Sequence, residues 1–137
     1  MTLVLDVSIA MAWLFDHGRT GAAHAVMRRV VAEGAIVPSL WRLEVANLLR
    51  NAVRRGRCDE SFVDRSLARL ARLAIRRNEE TDDHAWESTR TLAGEENLSL
   101  YDAAYLALAT RRRIALASCD QALLAAATRR KAEVFAA

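Results

Sequence analysis

Two scales of apolar patterning alternate along this chain. Short uninterrupted apolar runs are separated by longer stretches in which apolar residues recur every three or four positions. Thr2 to Leu5, closed by Asp6, predicts a buried strand. Ser8 to Phe15 and Ala22 to Ala32 carry helical spacing. Ala35-Ile36-Val37, stopped by Pro38, predicts a second strand. Ser39 is placed to cap a long helix from Leu40 to about Arg55, which Gly56 closes. Asp59 and Ser61 open the next helix, with Phe62, Leu67, Leu70 and Leu73 at helical spacing. A third, more polar strand is expected within the stretch Ile75 to Thr81, and Asp82 to Ala93 predicts a helix. Ser99 opens a helix through Tyr101, Ala104, Tyr105 and Leu108 that ends near Arg111-Arg112-Arg113. Ile114 to Ala117 is an apolar strand, Asp120 to Arg130 a helix, and Glu133-Val134-Phe135 a last edge strand. Strands separated by helices imply an α/β fold with a mostly parallel sheet covered on both faces.

Composition narrows the class. A chain of 137 residues, 53% of them hydrophobic, fits one compact domain with a real core, expected to span 1–137. No apolar run approaches the roughly 18 residues of a membrane span. Met1-Thr2-Leu3-Val4-Leu5-Asp6 has no basic segment ahead of its apolar stretch, so no signal peptide is expected. Cys58 and Cys119 lack any metal-ligand spacing and are expected to be reduced thiols of a cytoplasmic protein.

Charge adds a hint. The net charge is +3; setting four of the 17 acids aside in one internal site leaves 13 against 20 basic residues, a balance of +7. A basic exterior around an acidic pocket suits a phosphodiester substrate. GC-rich coding would also favour arginine, and Lys131 is the only lysine.

Four acids are the candidate chemistry. Asp6 ends the first strand, and Asp120 follows the strand that runs into Ser118. Ligands of open α/β sheets gather outside the carboxyl ends of strands, so neighbouring strands would face Asp6 with Asp120. Helix capping is the competing explanation: Asp6 and Ser8 are good N-caps, and Ser118 with Gln121 matches a capping box. Glu44 lies about 40° around its helix from Leu40 and Leu48, inside the apolar stripe, where an unpaired carboxylate is costly. An ion pair to Arg42 or Arg50 is the alternative. Asp102 fits a capping box with Ser99, yet opens a helix apolar enough to be deeply packed. Four converging carboxylates would repel one another, and a hard cation such as Mg²⁺ or Mn²⁺ resolves the conflict. Such an ion can generate hydroxide and stabilise charge on a phosphate.

These segments resemble the PIN-domain ribonucleases of the VapC toxin type. The matching stretches are Val4-Leu5-Asp6-Val7-Ser8 with Ala12-Trp13-Leu14-Phe15, Val37 to Asn47, Leu98 to Ala109, and Ala117-Ser118-Cys119-Asp120. The resemblance implies that Asp6, Glu44, Asp102 and Asp120 are catalytic, metal-binding acids, with Ser8 and Ser118 as supporting hydroxyls. It implies a PIN-like three-layer sandwich with a sheet of about five short strands. It further implies an RNA substrate, Mg²⁺ or Mn²⁺ as cofactor, a VapB-type antitoxin that covers the pocket, and a homodimer. No membrane partner is expected.

Other features carry less. Arginine groups at Arg50–Arg57, Arg111–Arg113 and Arg129–Lys131 suit RNA phosphates collectively, though each also suits a helix C-terminus. Trp13, Trp41 and Trp86 are expected to pack in the core, and His17 to be solvated in a loop. A non-catalytic RNA- or partner-binding module, and a phosphotransfer domain with an aspartyl nucleophile, are the competing functions. The second lacks its usual acid two residues after Asp6, where Ser8 stands.

Overall fold

The computed structural model describes residues 1–15 and 20–137. Five strands form one sheet: β1 (Leu3–Leu5), β2 (Ala35–Val37), β3 (Ile75–Arg77), β4 (Ala115–Ser118) and β5 (Val134–Ala136). Their order across the sheet is β3-β2-β1-β4-β5, and every pair is parallel. All residues of β1, β2 and β4 are buried. Successive strand residues point to opposite faces, so burial of all of them requires cover on both sides. The edge strands are the more exposed ones, with Arg76 and Arg77 exposed on β3 and Ala136 exposed on β5.

The cover comes from eight helices among the described residues: α1 (Val7–Leu14), α2 (Gly21–Glu33), α3 (Trp41–Arg54), α4 (Glu60–Ala71), α5 (Thr81–Ala85), α6 (Ser88–Glu96), α7 (Leu100–Arg112) and α8 (Gln121–Arg129). The helix α7 packs on β1 and β4, α8 on β4 and β5, and α1 on β4 and α3. Along α7, Ala103 to Ala109 are all buried, which is why that helix shows no polar face over this stretch.

The chain moves outward from β1 through β2 to β3, then crosses back to β4 on the other side of β1. Strand order therefore reverses between β1 and β4, and the carboxyl ends of this pair flank the crevice where such sheets bind ligands. The register aligns Leu5 with Ala117. An N–H donated by Asp6 to the Ala117 carbonyl, at 3.0 Å, carries the pairing one residue further, so Asp6 and Ser118 leave the sheet side by side.

Three local expectations differ, while the third strand lies within the stretch expected to contain it. Ser39 does not cap α3: its N–H is donated to Thr81 Oγ1 at 2.9 Å, and Leu40 stands at the N-cap. The Trp41 N–H is satisfied instead by the Pro38 carbonyl. The third strand stops at Arg77, because Asn78 is buried and takes the Glu80 N–H on its side chain, which turns the chain. The helix expected over Asp82 to Ala93 is two helices broken at Trp86 and Glu87. Trp86 sits at that break and is 86% exposed, whereas Trp13 and Trp41 are buried as expected. His17 lies outside the described residues. Among the described residues no helix is long and apolar enough to cross a membrane, and Cys58 and Cys119 are free thiols.

Candidate active site

Asp6 occupies the N-cap position of α1 but makes no capping bond with its side chain. It is 4% exposed, and its carboxylate is engaged elsewhere. Ser8 Oγ donates to Asp6 Oδ2 at 2.6 Å, and Ser118 Oγ donates to the same oxygen at 2.7 Å. Each hydroxyl has one proton, so each is then free to accept. Ser8 Oγ accepts the Cys119 N–H at 2.9 Å, and Ser118 Oγ accepts the Asp120 N–H, also at 2.9 Å. Two backbone amides of the β4–α8 turn are thereby relayed through two hydroxyls onto one carboxylate oxygen. With both protons spent on Asp6, the 3.4 Å approach of the two hydroxyls to each other is a contact imposed by sharing that oxygen.

Asp120 is itself the cap of α8, accepting the Leu123 N–H on Oδ1 at 2.9 Å. The capping box expected from Ser118 and Gln121 is not formed, because α8 begins two residues later with Asp120 as its N-cap, and Ser118 Oγ accepts the Asp120 N–H instead. Asp102 does stand in a capped first turn, with its N–H donated to Ser99 Oγ at 3.1 Å. Capping and site membership coincide there, since the charges of Asp6 and Asp120 act on Asp102.

Glu44 is half-buried at the border of the core-facing side of α3, which is made by Trp41, Val45, Leu49 and Ala52. The stripe expected around Leu40 and Leu48 is rotated: Leu48 is partly exposed and Leu43 is 77% exposed. The partner of Glu44 is no arginine. Tyr105, fully buried on α7, donates its hydroxyl to Glu44 Oε1 at 2.5 Å. Tyr105 lies three residues after Asp102, hence on the same side of the helix. Sequence reasoning missed it as a site residue. Its signal was a hydroxyl in an otherwise apolar helical run, because a buried phenol needs an acceptor.

Electrostatics joins these groups. Burial pushes the Asp6 carboxyl above its ordinary range; the hydroxyls of Ser8 and Ser118 and the Val7 N–H pull against that, and the charge of Asp120 adds to it. Burial also raises Glu44, helped by the charges of Asp6 and Asp102 and opposed by the Tyr105 bond. Asp102 is raised by burial and by Asp120 and Asp6. Burial and the adjoining Glu44 hold the Tyr105 phenol far above its ordinary range, so it stays a donor. Asp6 and Asp102 thus feel the charge of Asp120, and Glu44 feels those of Asp6 and Asp102.

The donor set is all oxygen, charged and mutually repelling, which fits a hard dication. The fit is chemical: among the described residues no three Asp, Glu, His or Cys side chains are gathered closely enough to hold a metal ion.

The sequence pattern of the PIN domain matches residues 3–129. This chain belongs to the PIN-domain family. It is 32% identical over 120 residues to the VapC ribonuclease Mb0985 of Mycobacterium bovis, a match covering 86% of this chain and 85% of that protein. Ribonuclease VapC9 of Mycobacterium tuberculosis matches with the same identity and coverage. Among solved structures, PAE2754 from Pyrobaculum aerophilum superposes with a TM-score of 0.69 at 25% identity, covering 92% of this chain and 84% of that one. FitAcB from Neisseria gonorrhoeae superposes at 0.65 with 17% identity, covering 98% and 96%, a likeness of fold. The five-stranded parallel sheet between helices is thus the PIN arrangement, and divalent metal is the general cofactor of PIN-domain ribonucleases.

Proposed function

We propose that this PIN-domain chain, read over 1–137 as one domain, is an endoribonuclease that hydrolyses RNA phosphodiester bonds with Mg²⁺ or Mn²⁺ and serves as the toxin of a cytoplasmic toxin–antitoxin pair. The observation that carries the reading is geometric: Asp6 and Asp120 stand together outside the carboxyl ends of β1 and β4, joined through Ser118, which donates to Asp6 and accepts the Asp120 N–H. Asp6, Glu44, Asp102 and Asp120 are the residues that would hold the ion. When bound, the ion supplies acidified water and offsets charge building on the phosphate. The chain supplies orientation. Ser8 and Ser118 fix one oxygen of Asp6, and Tyr105 fixes one oxygen of Glu44. Each acid keeps its second oxygen clear of those hydroxyl bonds.

Kinship with proteins named VapC supports a VapB-type antitoxin that covers the acids, and a homodimer as the resting assembly. Incubating the purified protein with transfer and ribosomal RNA, in Mg²⁺, in Mn²⁺ and in EDTA, tests the activity beside an Asp6→Asn variant. Cleavage that needs the metal and vanishes in the variant is expected. Cleavage that persists in EDTA, or full activity in the variant, would sink the mechanism.

A further inference from the structure

The chain carries three basic groups, and the structure separates them. Arg129 and Arg130 are drawn onto acids: their Nε atoms bond the two oxygens of Glu96 at 2.8 and 2.6 Å, and Arg130 also reaches Glu95 at 3.0 Å. Arg112 faces Glu80 at 4.0 Å. Charges balanced in this way add little net field for an incoming phosphate.

The group at the end of α3 is placed differently. Gly56, at φ 72°, turns the chain back so that its own N–H meets the Val53 carbonyl and the Arg57 N–H meets the Ala52 carbonyl. This paired closure satisfies the last carbonyls of the helix. It also sets Arg55 and Arg57 on either side of the turn, and both line one cavity of about 460 Å³. Ser8, Leu48, Asn51 and Cys119 line the same cavity. Ser8 Oγ donates to Asp6 and accepts the Cys119 N–H, so the cavity reaches the residue that holds Asp6 in place. Its size falls within the range of roughly 300–1,000 Å³ typical of sites for small organic groups. Arg55 is exposed and has no ion-pair partner among the described residues. Arg57 is oriented over the Phe15 ring at 4.8 Å, and Phe15 is a further wall of the cavity.

We propose that this cavity is an RNA subsite, in which Arg55 holds the phosphate next to the one being cleaved while the attached nucleoside rests between Asn51, Leu48 and Phe15. A cation for the phosphate, an amide that both donates and accepts, and an apolar wall for a base are the groups a single-stranded nucleotide requires. The acids repel phosphate, so a strand that approaches them needs a cationic hold close by; this cavity provides one on the side of Ser8. The assignment rests on the ribonuclease reading above.

The test compares wild type with Arg55→Glu, Arg55→Lys and Arg130→Ala. Cleavage of a transfer RNA pool gives kcat and KM, and anisotropy of a labelled oligouridylate over a salt series gives binding. Arg55→Glu is expected to raise KM by about tenfold with kcat nearly kept, and to flatten the logarithmic salt dependence by about 0.7 for each phosphate no longer neutralised. Arg55→Lys restores most of the binding, and Arg130→Ala matches wild type. Circular dichroism checks that each variant is folded; should Arg55→Glu disturb the turn, Arg55→Gln takes its place. Unchanged KM and salt slope in a folded Arg55 variant of an active enzyme overturn the subsite. So does a variant that keeps RNA affinity but loses a protein partner, which would make the cavity a protein surface. A wild type that cleaves no RNA in either metal overturns the ribonuclease reading itself.

Discussion

Asp6 and Glu44 are two buried or half-buried carboxylates held in two different ways. Asp6 leaves the central strand pair, and its two hydroxyl partners are each tied to a backbone amide of the β4–α8 turn. Its position is set by sheet register and main chain. Glu44 projects from the border of α3, and the bond that orients it comes from a phenol on α7. Its position depends on how two helices pack. The first acid is an anchor, and the second is an arm whose aim one side chain adjusts. A site built this way has a rigid side and an adjustable side.

Asp6→Asn gives the largest expected effect. Cleavage should fall on the order of a thousandfold or more, because the anchor of the proposed metal-binding set loses its charge. The same variant should melt at a higher temperature than wild type in EDTA, since a raised, buried charge has been removed. Added Mn²⁺ should stabilise wild type and leave the variant nearly unmoved. Calorimetry in both conditions checks the crossover, and a wild type indifferent to Mn²⁺ would remove the electrostatic argument.

Ser118→Ala breaks the anchor's support. Ser118 is fully buried, and without its hydroxyl both the Asp120 N–H and Asp6 Oδ2 lose a partner. A loss of about 1–3 kcal/mol in urea denaturation is expected for leaving such groups short, with activity reduced by roughly ten- to a hundredfold. An equal loss of stability with unaltered activity would reduce Ser118 to a packing residue.

Tyr105→Phe tests the arm while keeping the ring. About a tenfold rise in the Mn²⁺ concentration needed for half-maximal cleavage is expected, the scale seen when a group orienting a metal ligand is removed. Direct Mn²⁺ binding followed by electron paramagnetic resonance should weaken in parallel. If metal affinity holds and only thermal stability drops, Tyr105 ties the helices together without aiming Glu44.

The smallest effect is a drift with pH. Asp6, Glu44 and Asp102 all have folded-state values above their ordinary ones, so the folded protein binds more protons than the unfolded chain between those limits. Their contribution to stability is present below the ordinary carboxylate range and is lost as pH rises through the raised values. Metal-free protein should therefore lose stability from mildly acidic pH toward neutrality, and Asp6→Asn should lose less. Urea titrations at several pH values, with EDTA throughout, measure the slope.

The strands and most of the helices were legible because their signals are local. Uninterrupted apolar triplets mark the central strands, an acid directly after a strand marks Asp6, and one two residues past a strand marks Asp120, whereas only the family resemblance joins these two with Glu44 and Asp102 as one proposed site. Much of what escaped depends on contacts distant in the chain. Ser39 resembles a cap until Thr81, on another element, takes its N–H. Ser118 resembles half of a capping box until α8 starts two residues later, on Asp120. Tyr105 resembles core until Glu44 meets it across 61 positions. Trp86 resembles core by residue type alone, yet its helix breaks at that point and leaves the ring outside. Glu44 was singled out because it interrupts apolar positions, although the buried side of α3 proved to be rotated past Leu48.

The Ser118–Asp6 bond joins positions 112 apart, and the Cys119–Ser8 bond positions 111 apart, in a chain of 137. Closing so long a loop carries an entropic cost that local helices do not bear. During synthesis Asp6 emerges first and must wait for nearly the whole chain before β4 can pair with β1 and bring Ser118 to it. The anchor of the site is therefore absent from every nascent chain that stops short of β4. Degradation intermediates that have lost either end lose it too. For a nuclease made beside ribosomal and messenger RNA, the late pairing of β4 with β1 keeps the anchor from forming until Ser118 has been added.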